Sequence, residues 1–246
     1  MDRDVKGLGL VLKKREAGER DVVLTIFSPS LSLLEAREYG TRKGGKGPKV
    51  PLYAEGTFSL YSRGDGKGYS LKDVDILSLH EEILSSYELT TYAALVSEMT
   101  IRGKDYSPEV YSLVSASLDR MSAYPDPRRV LIYFLVRYLD IFGTLGDFSS
   151  CPICHRMYAS DEVAYFNFSE RIATCKACSD RDGMLLPPSA RAFLKRTLEV
   201  GIDKGLSFGL SDVMRDRILS YLLRTLSLSW PGRLEVLEGG FFDDWL

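Results

Sequence analysis

The sequence predicts an α+β fold in two parts, a small β-barrel followed by an all-helical region. Three observations carry that expectation. The first 76 residues hold five short apolar runs separated by turn residues, several of them glycine. Beyond residue 80 the apolar residues fall at helical spacing, and several runs open on proline or a Ser/Asp cap. The helical half is interrupted between residues 151 and 178, a stretch that contains all four cysteines of the chain.

The strands follow in order. Residues 5–13 form a strand interrupted by Gly7 and Gly9. Residues 21–27 are β-branched and apolar, and 33–39 follow a turn that begins at Ser28-Pro29. Residues 52–61 alternate, with Ala54, Gly56, Phe58 and Leu60 on one face. Residues 68–76 alternate weakly, after a hairpin marked by Gly64, Gly66 and Gly68. Five short strands in this length fit a five-stranded closed barrel such as the OB-fold, and an SH3-like barrel gives nearly the same string.

The first helix is expected over 83–101, with Leu84, Tyr87, Leu95 and Met99 at helical spacing and a stop at Gly103. A second covers 108–124. Asp126-Pro127 caps a third, 128–142, which is apolar nearly all round and so belongs at the centre of a bundle. Two more open at Pro188-Ser189 and Ser211-Asp212 and end near Val200 and Leu228. The division expected is a barrel over 1–80 and a helical domain over 81–246, interrupted by an insertion at 151–178. The segment after Trp230, acidic and aromatic from Phe241 to Trp245, carries no assignment.

Composition narrows the class. The chain has 246 residues, 45% hydrophobic and 27% charged, which excludes collagen-like, disordered and disulfide-miniprotein classes. The longest apolar run, 130–136, falls short of the ~20 residues that span a bilayer, so no membrane partner is expected. The charged start Met1-Asp2-Arg3-Asp4 has no apolar signal region, which points to the cytoplasm and to reduced thiols.

Cys151-Pro152-Ile153-Cys154 and Cys175-Lys176-Ala177-Cys178 are two C-x-x-C knuckles twenty residues apart. That spacing brings four thiolates into one tetrahedron. It suits a structural Zn²⁺ with no open coordination position, ahead of an iron–sulfur cluster or a redox dithiol. His155 reads as a solvated neighbour rather than a ligand.

Net charge is −2, so the whole surface is not a polyanion binder. Residues 1–80 nevertheless hold fourteen Lys/Arg and eleven Asp/Glu, a net of +3, which leaves −5 for the rest. Arg37, Arg42, Lys43, Lys46 and Lys49 lie in a glycine-rich connection with Glu38 as its one acid. Such a loop can follow a phosphate backbone, with Tyr39 and Tyr53 flanking it to stack on bases. Lys13-Lys14-Arg15 is a second basic cluster, at a strand end. Gly40 to Lys46 spells a P-loop short of its Ser/Thr, since Gly47 follows and Pro48 and Pro51 preclude the helix, so nucleotide hydrolysis is not expected. Arg63-Gly64-Asp65 reads as a hairpin turn. With two histidines and no nucleophile elbow or dinucleotide fingerprint, the chain is expected not to be an enzyme.

The order of parts resembles the bacterial DNA-repair and recombination-mediator family RecO. The matching residues are Gly9-Leu10-Val11-Leu12, Arg15, Gly18-Glu19-Arg20-Asp21, Leu24-Thr25-Ile26-Phe27-Ser28, Gly40-Thr41-Arg42-Lys43, Thr57-Phe58-Ser59-Leu60 and Glu98, with the cysteine quartet. Arg171-Ile172 stands where the family usually has a glycine pair. The resemblance implies an N-terminal OB-fold, a helical domain and a zinc finger inserted in it. It implies binding of single- and double-stranded DNA, annealing of complementary strands, help in loading the RecA recombinase, and a nucleoid-associated location. Implied partners are RecR and the acidic tail of single-stranded-DNA-binding protein. Arg191 and Lys195, four residues apart beside Phe193, are the expected grip on that tail. A zinc-ribbon and OB-fold RNA-binding factor is the competing reading.

Overall fold

The computed structural model describes residues 3–40, 49–64, 68–146, 148–180 and 184–246. They fall into two compact units, Met1–Ala123 and Tyr124–Leu246. In the first, β1 (Asp4–Ala17), β2 (Asp21–Ser28), β3 (Ser32–Glu38), β4 (Glu55–Ser62) and β5 (Tyr69–Ser78) close into a barrel of order β1-β2-β3-β5-β4. All neighbours are antiparallel except β3 and β5, which run parallel through two residue pairs, Ala36↔Tyr69 and Arg37↔Ser70. This is the OB-like arrangement.

Closure rests on β1. Its first half pairs with β4 and its second with β2, and a bulge between Val11 and Lys13 bends it from one to the other. The alternation read in the fourth strand points inward as expected. Phe58 and Leu60 join Val11, Leu24, Ile26, Leu34, Ala36 and Leu71 in the barrel core, which Val50 and Ala54 seal. β2 is buried over six consecutive residues because its outer face is covered as well. There Phe27 meets the ring edges of Tyr106 and Tyr111 at 6.1 and 5.2 Å.

Two helices complete this unit, α1 (Tyr87–Gly103) and α2 (Pro108–Ala123). The boundary expected at residue 80 marks the change from strand to helix, and both of these helices lie in the same compact unit as the barrel. Glu55 at the start of β4 accepts hydrogen bonds from Tyr111 Oη (2.7 Å) and Ser115 Oγ (2.8 Å). His80 stands between the Tyr53 carbonyl and the Asp119 carboxylate, 2.7 Å from each. The single helix expected from residue 83 is split. A 3-10 turn, Glu81–Ser85, precedes α1, whose N-terminus Ser86 caps. That tighter turn shifts the phase, so Ile83 is buried while Leu84 and Tyr87 are exposed, and only Leu95 and Met99 of the expected stripe face inward.

The second unit is built round α3 (Pro127–Ile141), as its all-round apolarity predicts: residues 130–136 are buried without a break. It packs against α4 (Pro188–Leu198), α5 (Ile202–Leu206) and α6 (Asp212–Ser229). Arg129 donates to the carbonyls of Leu206 and Phe208, Arg137 to Leu198 and Tyr133 to Val200. These donors satisfy carbonyls at the ends of α4 and α5. The segment after Trp230 also belongs to this unit's core: Phe242 is fully buried, and the Trp245 ring lies 4.9 Å from the Arg128 guanidinium. Between α3 and α4 sits a small sheet of order β7-β6-β8, from β6 (Ala164–Asn167), β7 (Ile172–Thr174) and β8 (Leu185–Leu186). No helix among the described residues is long and apolar enough to cross a membrane.

Candidate functional site

The four cysteines converge. Cys151 opens a tight knuckle in which His155 N–H donates to Cys151 O (2.8 Å) and Cys151 N–H to Arg156 O (2.9 Å). The β6–β7 hairpin then turns the chain back so that Cys175 leaves β7 beside it. Arg171 turns that hairpin at φ 61°, a left-handed conformation that glycine adopts without cost. The Arg171-Ile172 departure therefore falls on the hairpin and leaves the ligands in place.

All four Sγ atoms lie within 4.8 Å of one another, and Cys154 and Cys175 are 3.8 Å apart. A tetrahedron with metal–sulfur bonds of about 2.3 Å has edges of about 3.8 Å, so the set fits a tetrahedral ion. Burial opposes ionisation of Cys151, but backbone N–H groups of Cys154, Cys175 and Ile153 outweigh it and hold its thiol at about 6. Cys178 behaves oppositely. Its hydrogen bond to Cys175 and then desolvation push its thiol up to about 12. A cation at the centre would let all four carry charge together. His155 is exposed and lies outside the cluster.

The finger is anchored by a residue that the sequence reading placed elsewhere. Arg191 of α4, expected to hold a partner's tail, is 7% exposed. Its guanidinium donates to the carbonyls of Phe148 (3.1 Å), Ala159 (3.2 Å) and Glu162 (2.6 Å) and lies 4.4 Å from the Tyr158 ring. The helical spacing with Lys195 is real, but Arg191 faces the finger backbone. Lys195 is exposed and donates to Ser149 Oγ (2.9 Å), and Phe193 packs at 6.3 Å from Phe208. Arg191→Met keeps the stem but strips three carbonyls of their donor. It is expected to cost about 3 kcal/mol, and to raise amide exchange over 148–162 before the α6 core responds. Unchanged exchange there would contradict the anchoring role.

The barrel carries the second feature, a cleft of about 620 Å³. Arg15, Arg37 and Arg63 line it with Leu33, Leu34 and Tyr69, where β3 meets β5. Arg15 is paired with Glu35 at 2.9 Å and Arg37 with Asp21 at 3.7 Å, while both keep a third or more of the side chain in solvent. Arg37 also lies 5.7 Å from the ring of Tyr39, which is 45% exposed.

A family model described as the recombination protein O C terminal matches residues 81–237, from the turn before α1 through both knuckles to Leu237. The chain belongs to the RecO family. DNA repair protein RecO of Bacillus cereus (strain B4264) is 28% identical to it over 188 residues, 73% of this chain and 72% of the relative. The DNA repair protein RecO of Bacillus anthracis (strain CDC 684 / NRRL 3495) and that of Bacillus thuringiensis subsp. konkukian (strain 97-27) match with the same identity and coverage.

Within this RecO-family barrel the expected basic residues have different fates. Lys13 is exposed, and Lys49 is too. Lys14 turns inward to the Val50 carbonyl and to Glu38 at 3.8 Å, and Glu38 is itself buried, so Lys14 holds the barrel's end together. Arg42, Lys43 and Lys46 lie outside the described residues. Tyr53 is 2% exposed at φ 65°, which removes it as a stacking platform. Sequence reasoning missed Arg63 and Tyr69. Their signal was a basic residue and an aromatic flanking the hairpin glycines, and it was absorbed into the turn.

Proposed function

We propose that this chain is a non-catalytic mediator that binds single- and double-stranded DNA through its barrel and anneals complementary strands without ATP. The arginine-lined cleft carries this reading. Three guanidiniums over a groove with an adjoining tyrosine suit a phosphate backbone with unstacked bases. Bringing two polyanions together needs several cations; the cleft offers Arg15 and Arg37, Lys13 and Lys49 are exposed, and the sequence adds Arg42, Lys43 and Lys46 between β3 and β4. Annealing runs downhill, so no nucleotide is consumed.

RecO membership extends the proposal to loading RecA on strands coated with single-stranded-DNA-binding protein, with RecR as a partner, in the bacterial cytoplasm at the nucleoid. Lys195 and Phe193 remain the proposed contacts for the acidic tail, without Arg191. The metal we assign is one structural Zn²⁺ at Cys151, Cys154, Cys175 and Cys178. Four soft anionic ligands suit it and leave no position for a reacting water.

The test is single-stranded DNA binding over a salt series for Arg37→Ala/Arg63→Ala. Loss of two phosphate contacts should lower the slope of log K against log salt by about 1.4, at ~0.7 each, on all sequences alike. An unchanged slope would exclude the cleft. RNA competing better than DNA would favour the RNA-binding reading.

A further inference from the structure

Twelve large apolar side chains stand out as exposed among the described residues, and five of them, Ile76, Leu77, Leu79, Leu84 and Tyr87, fall within twelve consecutive positions. Exposed apolar residues scattered singly need no explanation, whereas a concentration in one short segment is a candidate interaction surface. The backbone presents it deliberately. Register between β4 and β5 passes from Glu55↔Ser78 to Gly56↔Ile76, so Leu77 is the extra residue of a bulge and is turned outward, 68% exposed. Gly56 permits that bulge. A Cβ there would sit 2.5 Å from Asp75 O and 3.1 Å from Ile76 Cα.

Along the segment itself the charge has one sign. Residues 73–88 contain Asp73, Asp75, Glu81, Glu82 and Glu88 and no lysine or arginine. Asp75 is matched by Lys6 at 3.6 Å, but Asp73, Glu81 and Glu82 are exposed and make no ion pair among the described residues. A polyanion is repelled here. An apolar strip rimmed by free carboxylates is complementary to aliphatic side chains flanked by lysine or arginine.

We infer that the strip from Ile76 to Tyr87 docks a protein partner through a cationic, aliphatic surface, apart from the barrel's DNA cleft. One strand sets the separation. β5 begins at Tyr69, which lines the cleft, and ends at Ser78, ten residues later. At ~3.3 Å per residue the two ends are about 30 Å apart, enough for both sites to be filled together.

The probe is a short amphipathic helical peptide with a leucine face flanked by lysines, labelled for anisotropy, with a leucine–glutamate peptide of the same pattern as control. The full chain should bind the lysine peptide and not the control. Leu77→Ser/Leu84→Ser and Glu81→Lys/Glu82→Lys should each weaken binding about tenfold or more. Both pairs are exposed, so the melting temperature should hold, and single-stranded DNA binding by Leu77→Ser/Leu84→Ser should match the parent. No binding of the lysine peptide, equal binding to parent and variants, or equal binding of the control would overturn the inference. So would a parent dimer in sedimentation that Leu77→Ser/Leu84→Ser dissolves, since a second copy would then be the occupant.

Discussion

Cys175→Ala should lose the bound metal and, with it, the ordered structure of the finger, while the barrel's affinity for DNA stays within twofold of the parent. Binding of Zn²⁺ to structural sites is worth on the order of 10–16 kcal/mol at neutral pH, and that free energy is folding free energy. Cys175 is 1% exposed and its sulfur lies 3.8 Å from that of Cys154, so no water can take its place without opening the cluster. The strands between the knuckles are short, four and three residues, and cannot hold the hairpin by themselves. The barrel is spared because the cluster belongs to the other compact unit. The measurement is metal content with thiol titration. The parent should show one metal per chain and no reactive thiols before chelation, and the variant little metal and three reactive thiols. A parent with four reactive thiols and substoichiometric metal would exclude the zinc assignment.

Leu135→Asp should unfold the second unit at ordinary temperature. Leu135 is fully buried, as are Phe134 and Val136 on either side of it, in the helix against which α4, α5 and α6 pack. A carboxylate there must either remain charged in the buried apolar interior or take up a proton. The cost, about 5 kcal/mol, rivals the whole stability of a domain. Leu135→Met, nearly equal in volume, should cost less than about 1.5 kcal/mol. Thermal melts of the two variants separate the explanations. If Leu135→Asp melts with the parent, α3 is not the core helix.

These two predictions rest on the features most legible in the sequence. The cysteine knuckles declare themselves because two C-x-x-C pairs supply a complete tetrahedral ligand set and the chain holds no other cysteine. α3 does so because a helix without a polar face has only one place to go. The strands were readable from alternation, though β1 runs four residues past its expected end because it serves two neighbours. Local periodicity fails wherever a side chain's partner is distant in sequence. Arg191 shares helical spacing with Lys195, yet its acceptors are carbonyls 29 to 43 residues earlier. Tyr53 looks like a loop aromatic until its left-handed backbone tucks it under the barrel. α5 has five residues, too few for any period to register, and the final aromatics gain meaning from the burial of Phe242 and from Arg128, both set by tertiary packing.

The ring of strands is fastened unevenly. β2 and β3 share seven residue pairs and β1 and β4 another seven, but β3 and β5 share two. Local opening begins where the fewest backbone bonds must break, so among the described strand pairs this junction is expected to open first. The arginine cleft straddles it, with Arg15 on β1, Arg37 on β3 and Arg63 at the end of β4. A ligand that grips all three clasps the loose side of the ring from outside, and by mass action it favours the shut form. Filling the cleft should therefore slow amide exchange at the β3–β5 edge, where the ring is held by two residue pairs.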